Sequence, residues 1–135
     1  MTLEPFLNKK YKLYRTENSV ELMDLMDLTG IKRKVASSLS ATVQLVRNGD
    51  KYTLKTRHLI LRTNQTFKLG EEKNVTTGDG RKVKNEFTID GNKLTEKQIG
   101  EIALTIVREF SDEEMIQTYY CENVVSKGFF NVMKK

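Results

Sequence analysis

The segment Ile102–Phe110, with the sequence IALTIVREF, is the stretch from which the fold can be worked out. Successive side chains of a β-strand point to opposite faces, so one face of this segment would carry Ile102, Leu104, Ile106, Arg108 and Phe110. An arginine on an apolar face is costly to bury unless an anion pairs with it. The strand is therefore either an inner wall that receives a negative charge at Arg108, or an edge whose arginine bends out into solvent.

The chain after Thr42 has the pattern of short strands separated by turns. Turn signals occur at Asn48-Gly49-Asp50, Gly78-Asp79-Gly80 and Asp90-Gly91-Asn92. We predict strands over residues 9–16, 42–47, 51–57, 59–69, 71–76, 81–89, 93–98, 101–110, 115–121 and 124–133, and the long segment 59–69 is expected to begin as a loop. About ten strands joined by local turns predict an antiparallel meander, and closure into a barrel would remove its exposed edges.

Residues Ser19–Leu39 form the stretch with helical periodicity. Apolar residues recur in it at spacings of three and four, which predicts an amphipathic helix. Because Thr29-Gly30 interrupts the pattern, we predict two short helices joined by a turn. Asn18 is the predicted N-cap of the first helix, and Glu21 follows three residues later, as in a capping box.

The composition favours a small domain with a partly filled interior. A length of 135 residues suits one domain spanning residues 1–135. Hydrophobic residues make up 38% of the chain, less than a solid core would use, which fits a barrel that encloses a ligand or water. The net charge of +5 suits an acidic ligand, an anionic membrane surface or nucleic acid, and does not choose among them.

Cysteine usage and the N-terminal sequence favour a cytoplasmic protein. Cys121 is the one cysteine, so an intrachain disulfide is excluded, as expected in a reducing compartment. The segment Met1–Phe6 lacks the charged region and apolar run of a secretory signal. No segment approaches the apolar length of a membrane span.

The final predicted strand holds a second candidate cation, Lys127. If Val125 and Phe129 point into the interior, Lys127 points in with them, two strands along from Arg108. If Phe130 points inward instead, Lys127 is an ordinary surface lysine. The alternation pattern alone leaves both assignments open.

Enzymatic and nucleic-acid-binding functions have less support in the sequence. His58 is the one histidine and therefore has no second histidine with which to share a metal, and Cys121 has no histidine near it in sequence. There is neither a phosphate-binding glycine loop nor a serine elbow, so we expect no enzyme, no metal and no cofactor. Aromatic residues make up only 8% of the chain and are scattered, whereas nucleic-acid-binding barrels cluster them with cations on one face.

A set of segments that spans nearly the whole sequence follows one order along the chain. It comprises Phe6–Leu13 for the first strand, Glu17-Asn18, Met23 and Arg33-Lys34-Val35 for the helix pair, Phe67–Glu72, Thr76-Thr77 and Asp79–Lys84 for central strands, and Val107–Phe110 for a late strand. This ordered set resembles the intracellular lipid-binding proteins, the fatty-acid-binding protein family, and invertebrate members most of all.

The resemblance implies an all-β fold, a ten-stranded antiparallel up-and-down β-barrel flattened like a clam, with a two-helix lid between the first and second strands. It implies non-covalent binding and intracellular transport of a long-chain fatty acid or a similar hydrophobic carboxylate in an internal cavity. A carrier of retinoids or another isoprenoid acid with the same fold is the alternative.

In the pattern of the family, the ligand carboxylate meets an arginine on the eighth strand and an Arg-x-Tyr pair on the tenth. The resemblance puts Arg108 in the first place and Lys127 and Phe129 in the other two. A lysine cannot make the bidentate fork of arginine, and phenylalanine lacks the hydroxyl donor, so an altered anion site is expected.

The resemblance also implies the wider ligand site and the partners. The expected ligand-binding residues are Arg108, Lys127, Phe129, Met23, Ala36, Ile60, Asp79 and Arg81. We expect a monomer that binds no nucleic acid. Lys32, Arg33 and Lys34 are either a solvated face of the second helix or a patch that touches anionic membranes transiently.

Overall fold

The computed structural model describes residues 2–58 and 61–134. Within these ranges ten strands form one antiparallel sheet in the order β4-β3-β2-β1-β10-β9-β8-β7-β6-β5. Because β1 pairs with β10, the meander curls round so that its edges are β4 and β5, and the predicted fold class is confirmed. The strands are β1 (Lys10–Glu17), β2 (Thr42–Asn48), β3 (Lys51–His58), β4 (Leu61–Phe67), β5 (Lys73–Thr76), β6 (Lys82–Asp90), β7 (Lys93–Ile99), β8 (Leu104–Phe110), β9 (Glu114–Cys121) and β10 (Val124–Val132).

The observed strand bounds depart from the predicted ones mainly at β5 and β8. β5 begins at Lys73 rather than at residue 71, because it is held on one side only, by its ladder with β6. β8 begins at Leu104, three residues later than predicted. Leu59 and Ile60 lie outside the described residues, and β4 is described from Leu61 onwards.

Two helices lie between β1 and β2, as predicted: α1 (Ser19–Leu25) and α2 (Gly30–Ser37), preceded in the chain by a 3₁₀ turn at Glu4–Phe6. Asn18 is the N-cap of α1, as predicted, but it makes no side-chain capping hydrogen bond. Asn18 adopts a left-handed conformation with φ of 56°, and its Nδ2 donates to the carbonyl oxygen of Val125 at 3.1 Å instead of the carboxamide capping α1. This contact ties the start of the lid to β10. Among the described residues, none of the helices has the length and apolar character to span a membrane.

Aromatic side chains fill one end of the curled sheet. The rings of Tyr11 on β1 and Phe110 on β8 meet edge to face at a centroid distance of 5.5 Å, and Phe6 stacks on Phe110 at 6.0 Å. Phe67 on β4 and Phe87 on β6 stack at 3.7 Å. Because these contacts join strands that are distant in the sheet order, they hold the sheet in its curled form.

A second apolar cluster lies beneath the lid. Leu22 of α1 packs with Leu104, Ile106 and Cys121 of the sheet, all of them buried. Asp24 of α1 then holds α2 through a salt bridge of 2.8 Å to Arg33. The inner face of β8 therefore runs from the lid cluster at Leu104 and Ile106 to the aromatic cluster at Phe110, with Arg108 between them.

The two edge strands leave a gap in the wall. Across it, the ammonium group of Lys73 on β5 donates to the carbonyl oxygen of Thr66 on β4 at 3.4 Å. A cavity of about 310 Å³ opens at this gap, and its lining includes Gln65, Lys73, Asn85 and Phe87. The interior is therefore reached from this side through polar amides.

We expect Phe110→Ala to lower the free energy of unfolding by about 3–5 kcal/mol, because the ring is 1% exposed and packs on two other aromatics. Urea unfolding followed by circular dichroism measures the change. The control Ile99→Ala, at a side chain that is 55% exposed, should change it by about 0.5 kcal/mol or less. Equal losses in both variants would contradict this assignment of the core.

Candidate functional site

Arg108 points into the interior, as one of the two sequence interpretations required. It is 5% exposed and lies on the face of β8 that also buries Leu104, Ile106 and Phe110. Its Nε donates to Oε1 of Gln117 at 2.8 Å, and its Nη1 donates to Oε1 of Glu96 at 2.9 Å. These contacts leave Nη2 as the guanidinium nitrogen that a ligand oxygen could meet.

Strand register brings these partners together. Gln117 on β9 is directly opposite Arg108. Glu96 on β7 is opposite Ile106, so it is the diagonal neighbour of Arg108 on the same face. Asn85 on β6 is opposite Gln98, and is in turn diagonal to Glu96. Diagonal neighbours on one face of an antiparallel pair are within reach of long side chains.

Glu96 is the most enclosed charged residue of this cluster, at 1% exposure. Its Oε2 accepts hydrogen bonds from Nδ2 of Asn85 at 2.8 Å, Nε2 of Gln98 at 2.8 Å and Nε2 of Gln65 at 3.3 Å. Burial by itself raises the pKa of this carboxyl group. The charge of Arg108 and the hydrogen bonds outweigh burial, so the pKa of Glu96 lies below its ordinary value and the group is ionised.

A second ion pair continues the network towards the turn between β5 and β6. Nε of Arg81 donates to Oδ2 of Asp79 at 2.7 Å, and Nη2 of Arg81 donates to Oε1 of Gln98 at 2.9 Å. Burial raises the pKa of Asp79, but hydrogen bonds from Arg81 and Thr77 and the charge of Arg81 bring it below the ordinary value. Nη1 of Arg81 is buried and has no hydrogen-bond partner within residues 2–58 and 61–134, so one donor of this arginine is available to a ligand oxygen or water.

Tyr119 ends the network on the side of the lid cluster. Nε2 of Gln117 donates to the hydroxyl oxygen of Tyr119. The Tyr119 side chain packs against the lid cluster. Burial raises the pKa of Tyr119, so the hydroxyl stays neutral. The network thus runs without interruption from Asp79 to Tyr119 and contains two cations and two carboxylates.

The muscle fatty acid-binding protein of Schistocerca gregaria is 40% identical over 130 residues, which cover 95% of this chain and 97% of that protein. The chain belongs to the fatty-acid-binding protein family. No protein-family model matches it.

Solved structures agree with this assignment. The crystal structure of the fatty acid-binding protein from brain tissue of Drosophila melanogaster superposes with a TM-score of 0.88 at 44% identity, covering 93% of this chain and 98% of that one. The Schistosoma mansoni fatty acid binding protein in complex with arachidonic acid superposes with a TM-score of 0.91 at 28% identity, covering 98% of both chains.

The inward orientation that the resemblance implied for Lys127 and Phe129 is wrong. Lys127 is exposed on the outer face of β10, and Phe129 lies half-buried on that face, where the guanidinium of Arg15 stacks 3.8 Å from its ring centre. Phe130 is 3% exposed and belongs to the aromatic cluster. Because side chains alternate along a strand, the residues of β10 that share its face point inward, and Lys127 and Phe129 point outward. The inner positions of β10 are Ser126, Gly128 and Phe130, and none of them carries a charge.

Gly128 lies at an inner position of β10 where neighbouring side chains leave no room for a larger residue. A Cβ atom placed on Gly128 would lie 3.2 Å from Cδ1 of Leu13 and 3.2 Å from Cε1 of Phe130. Both contacts are tighter than ordinary packing, so this part of the interior is already filled by apolar neighbours.

The remaining predicted ligand residues are distributed over the lid and the turn region. Met23 is buried on α1, whereas Ala36 is exposed on α2. Asp79 and Arg81 join the polar network described above, and Ile60 lies outside the described residues. Ligand contact at these positions stays a prediction.

Sequence reasoning missed Glu96, Gln98, Asn85, Gln117 and Tyr119. On β7 the apolar residues Leu94 and Ile99 fall on opposite faces, so alternation did not show which face was buried. On β9 apolar residues occur on both faces. The one signal that pointed to this site was Arg108 itself, since a buried arginine requires an anionic partner nearby.

We expect Arg108→Gln to reverse how stability depends on pH. In the wild type, the lowered pKa of Glu96 contributes stability above its unfolded pKa of about 4.3, which is lost as pH falls through the lower folded value. Without Arg108, burial dominates and the folded pKa of Glu96 rises above the unfolded one. The free energy of unfolding of the variant should therefore decrease from pH 5 to pH 8, and lie about 3–5 kcal/mol below wild type at pH 7.

Urea unfolding at each pH measures this dependence. Lys127→Gln removes the same charge from the outer face of β10 and should follow the wild-type curve. A parallel curve for Arg108→Gln would mean that Arg108 and Glu96 do not depend on each other.

Proposed function

We propose that this protein binds a long-chain fatty acid, or a similar hydrophobic carboxylate, without a covalent bond and carries it between membranes inside the cell. The observation that supports this most is the polar network around Arg108, set between two apolar clusters within the curled sheet. A polar group that is enclosed by apolar walls suits a ligand with one polar end and a long hydrocarbon chain. The family membership of the chain supports the same ligand class.

The hydrocarbon chain would supply most of the affinity. Each buried methylene is worth about 0.8 kcal/mol, so a chain of about sixteen carbons could contribute on the order of 10 kcal/mol before ordering costs. The polar end would then select orientation. In this arrangement Arg108 and Arg81 would donate to a ligand oxygen, because within the described residues each has a guanidinium nitrogen that its protein contacts do not use.

The proposal describes a carrier with no catalytic step, located in the cytoplasm. The described ranges hold no group of three or more His, Cys, Asp or Glu residues arranged for a metal. Cys121 is a buried free thiol, and burial raises its pKa, which suits a structural residue rather than a nucleophile.

We expect Ile106→Phe to weaken palmitate binding by about tenfold or more, because the larger ring would take up interior volume beside Arg108. Displacement of a fluorescent fatty acid measures the affinity, and thermal unfolding checks that the variant folds. Val107→Phe makes the same replacement on the other face of β8 and should bind palmitate as the wild type does. Equal affinities for the two variants would place the ligand outside the sheet.

The lid also carries the features of a membrane-contacting surface. Ile31 on α2 is 71% exposed, and Lys32 and Lys34 beside it are exposed as well. Arg33, in contrast, is engaged with Asp24. We therefore propose that Lys32 and Lys34, rather than all three basic residues, meet anionic lipid headgroups during ligand transfer.

We expect the pair Lys32→Ala and Lys34→Ala to slow fatty-acid transfer to vesicles of phosphatidylserine and phosphatidylcholine by roughly thirtyfold, since each of the two lysines near such a surface contributes about 1 kcal/mol. The rate is followed by energy transfer from a fluorescent fatty acid to an acceptor lipid. Lys12→Ala with Lys127→Ala removes the same charge from the outer face of the sheet and should leave the rate unchanged. A wild-type rate that does not respond to the phosphatidylserine fraction would contradict the proposal.

A further inference from the structure

The interior arginine of this protein already has a carboxylate. Glu96 lies 2.9 Å from Nη1 of Arg108, and the side chains are 1% and 6% exposed respectively. A fatty-acid carboxylate that approached Arg108 would therefore meet a guanidinium whose charge is balanced. The proposed function leaves open how such a ligand is accommodated.

Glu96 is not free to move aside. Its Oε2 is held by the three amide donors of Asn85, Gln98 and Gln65, which come from β6, β7 and β4. If the carboxylate moved away from Arg108, it would either break its hydrogen bonds to these amides or require the amide side chains to move as well. Buried amides without acceptors are costly, so the network keeps Glu96 in place.

The charges that surround Glu96 offer no spare cation to a ligand anion. On β8 it faces Arg108, and through Gln98 it is linked to Arg81, which is paired with Asp79. On β9 the nearest titratable group is Tyr119, which is neutral. On β10, Lys127 points outward. Within the described part of the chain, the cluster is thus electrically neutral before any ligand binds.

An added carboxylate would place two negative charges on one guanidinium in a buried site. Like charges that share a site cannot both remain ionised at neutral pH, and one of the two takes up a proton. A hydroxyl group avoids this conflict. It can donate to Oε1 of Glu96 and accept from Nη2 of Arg108, and the protonated form of a carboxyl group can do the same.

We propose that Glu96 makes this site selective for an uncharged headgroup: the hydroxyl of a long-chain alcohol or acylglycerol, or a fatty acid that takes up one proton from solvent as it binds. The inference rests on the proposed carrier function and names the charge state of its ligand. Glu96 is then the residue that sets headgroup specificity, and Arg108 acts as its fixed partner as well as a donor.

Titration calorimetry of the full chain with dodecanoate and with 1-dodecanol tests the proposal at pH 8, in two buffers with different heats of ionisation. The difference in heat between buffers counts protons directly, whatever the ligand affinity. We expect uptake of about one proton per dodecanoate and about none per dodecanol. We also expect dodecanol to bind at least about tenfold more tightly than dodecanoate, since a proton must be supplied for the acid.

Glu96→Gln keeps the shape of the side chain and removes its charge. In this variant dodecanoate should bind without proton uptake and more tightly than dodecanol, since Arg108 then lacks a counter-ion. Glu109→Gln, at an exposed position on the opposite face of β8, should behave as the wild type does. Because proton uptake is measured on the wild-type protein, the test stands even if Glu96→Gln does not fold.

The outcomes separate the two proposals. Dodecanoate binding to the wild type without proton uptake, or with a preference over dodecanol at pH 8, would overturn the role given to Glu96 and leave the carrier function intact. Absence of binding for both ligands would overturn the carrier function itself.

Discussion

The buried ion pair between Arg108 and Glu96 is the interaction on which the interior of this protein depends. An arginine at this depth is tolerated only because a carboxylate lies 2.9 Å away and three amides hold that carboxylate from the other side. The strands β6 to β9 each give inner positions to this network. Because polar side chains occupy those positions, apolar residues cannot pack there. The sheet therefore encloses a polar band between two apolar clusters in place of one continuous core.

The way the sheet is held together determines where that interior can be reached. Among residues 2–58 and 61–134, eight strand-to-strand ladders follow the chain order and one joins β1 to β10, while β4 and β5 are the two edges. α1 is seated by Leu22 on the sheet, whereas α2 has no buried residue and is held to α1 through Arg33. Segments with few buried contacts are the first to open. We therefore expect the interior to open first at α2 and at the gap between β4 and β5.

Local patterns predicted much of this arrangement. The alternation in IALTIVREF put Arg108 on the same face as the apolar residues of β8, and the structure shows that this face points inward. The break at Thr29-Gly30 divided the lid into two helices, as predicted. The same reasoning could not decide the orientation of Lys127, because β10 has apolar residues on both faces. Phe129 packs under Arg15 on the outer face of the sheet, whereas Phe130 packs in the aromatic cluster inside it. The contacts that decide between these two orientations come from residues far away in the sequence.

The sequence by itself determined the approximate strands, the helix pair and the place of Arg108 on an apolar face, because each follows from the spacing of residues within one segment. Only the tertiary structure decided that this face is buried and which anion pairs with Arg108. Glu96 is 12 residues from Arg108, and the amide of Gln65 that supports it is 31 residues from Glu96. Such pairings are set by the register of neighbouring strands and by the curl of the sheet. These are non-local properties, so the protein's own carboxylate could not be recognised as the partner of Arg108 from the spacing of residues along the chain.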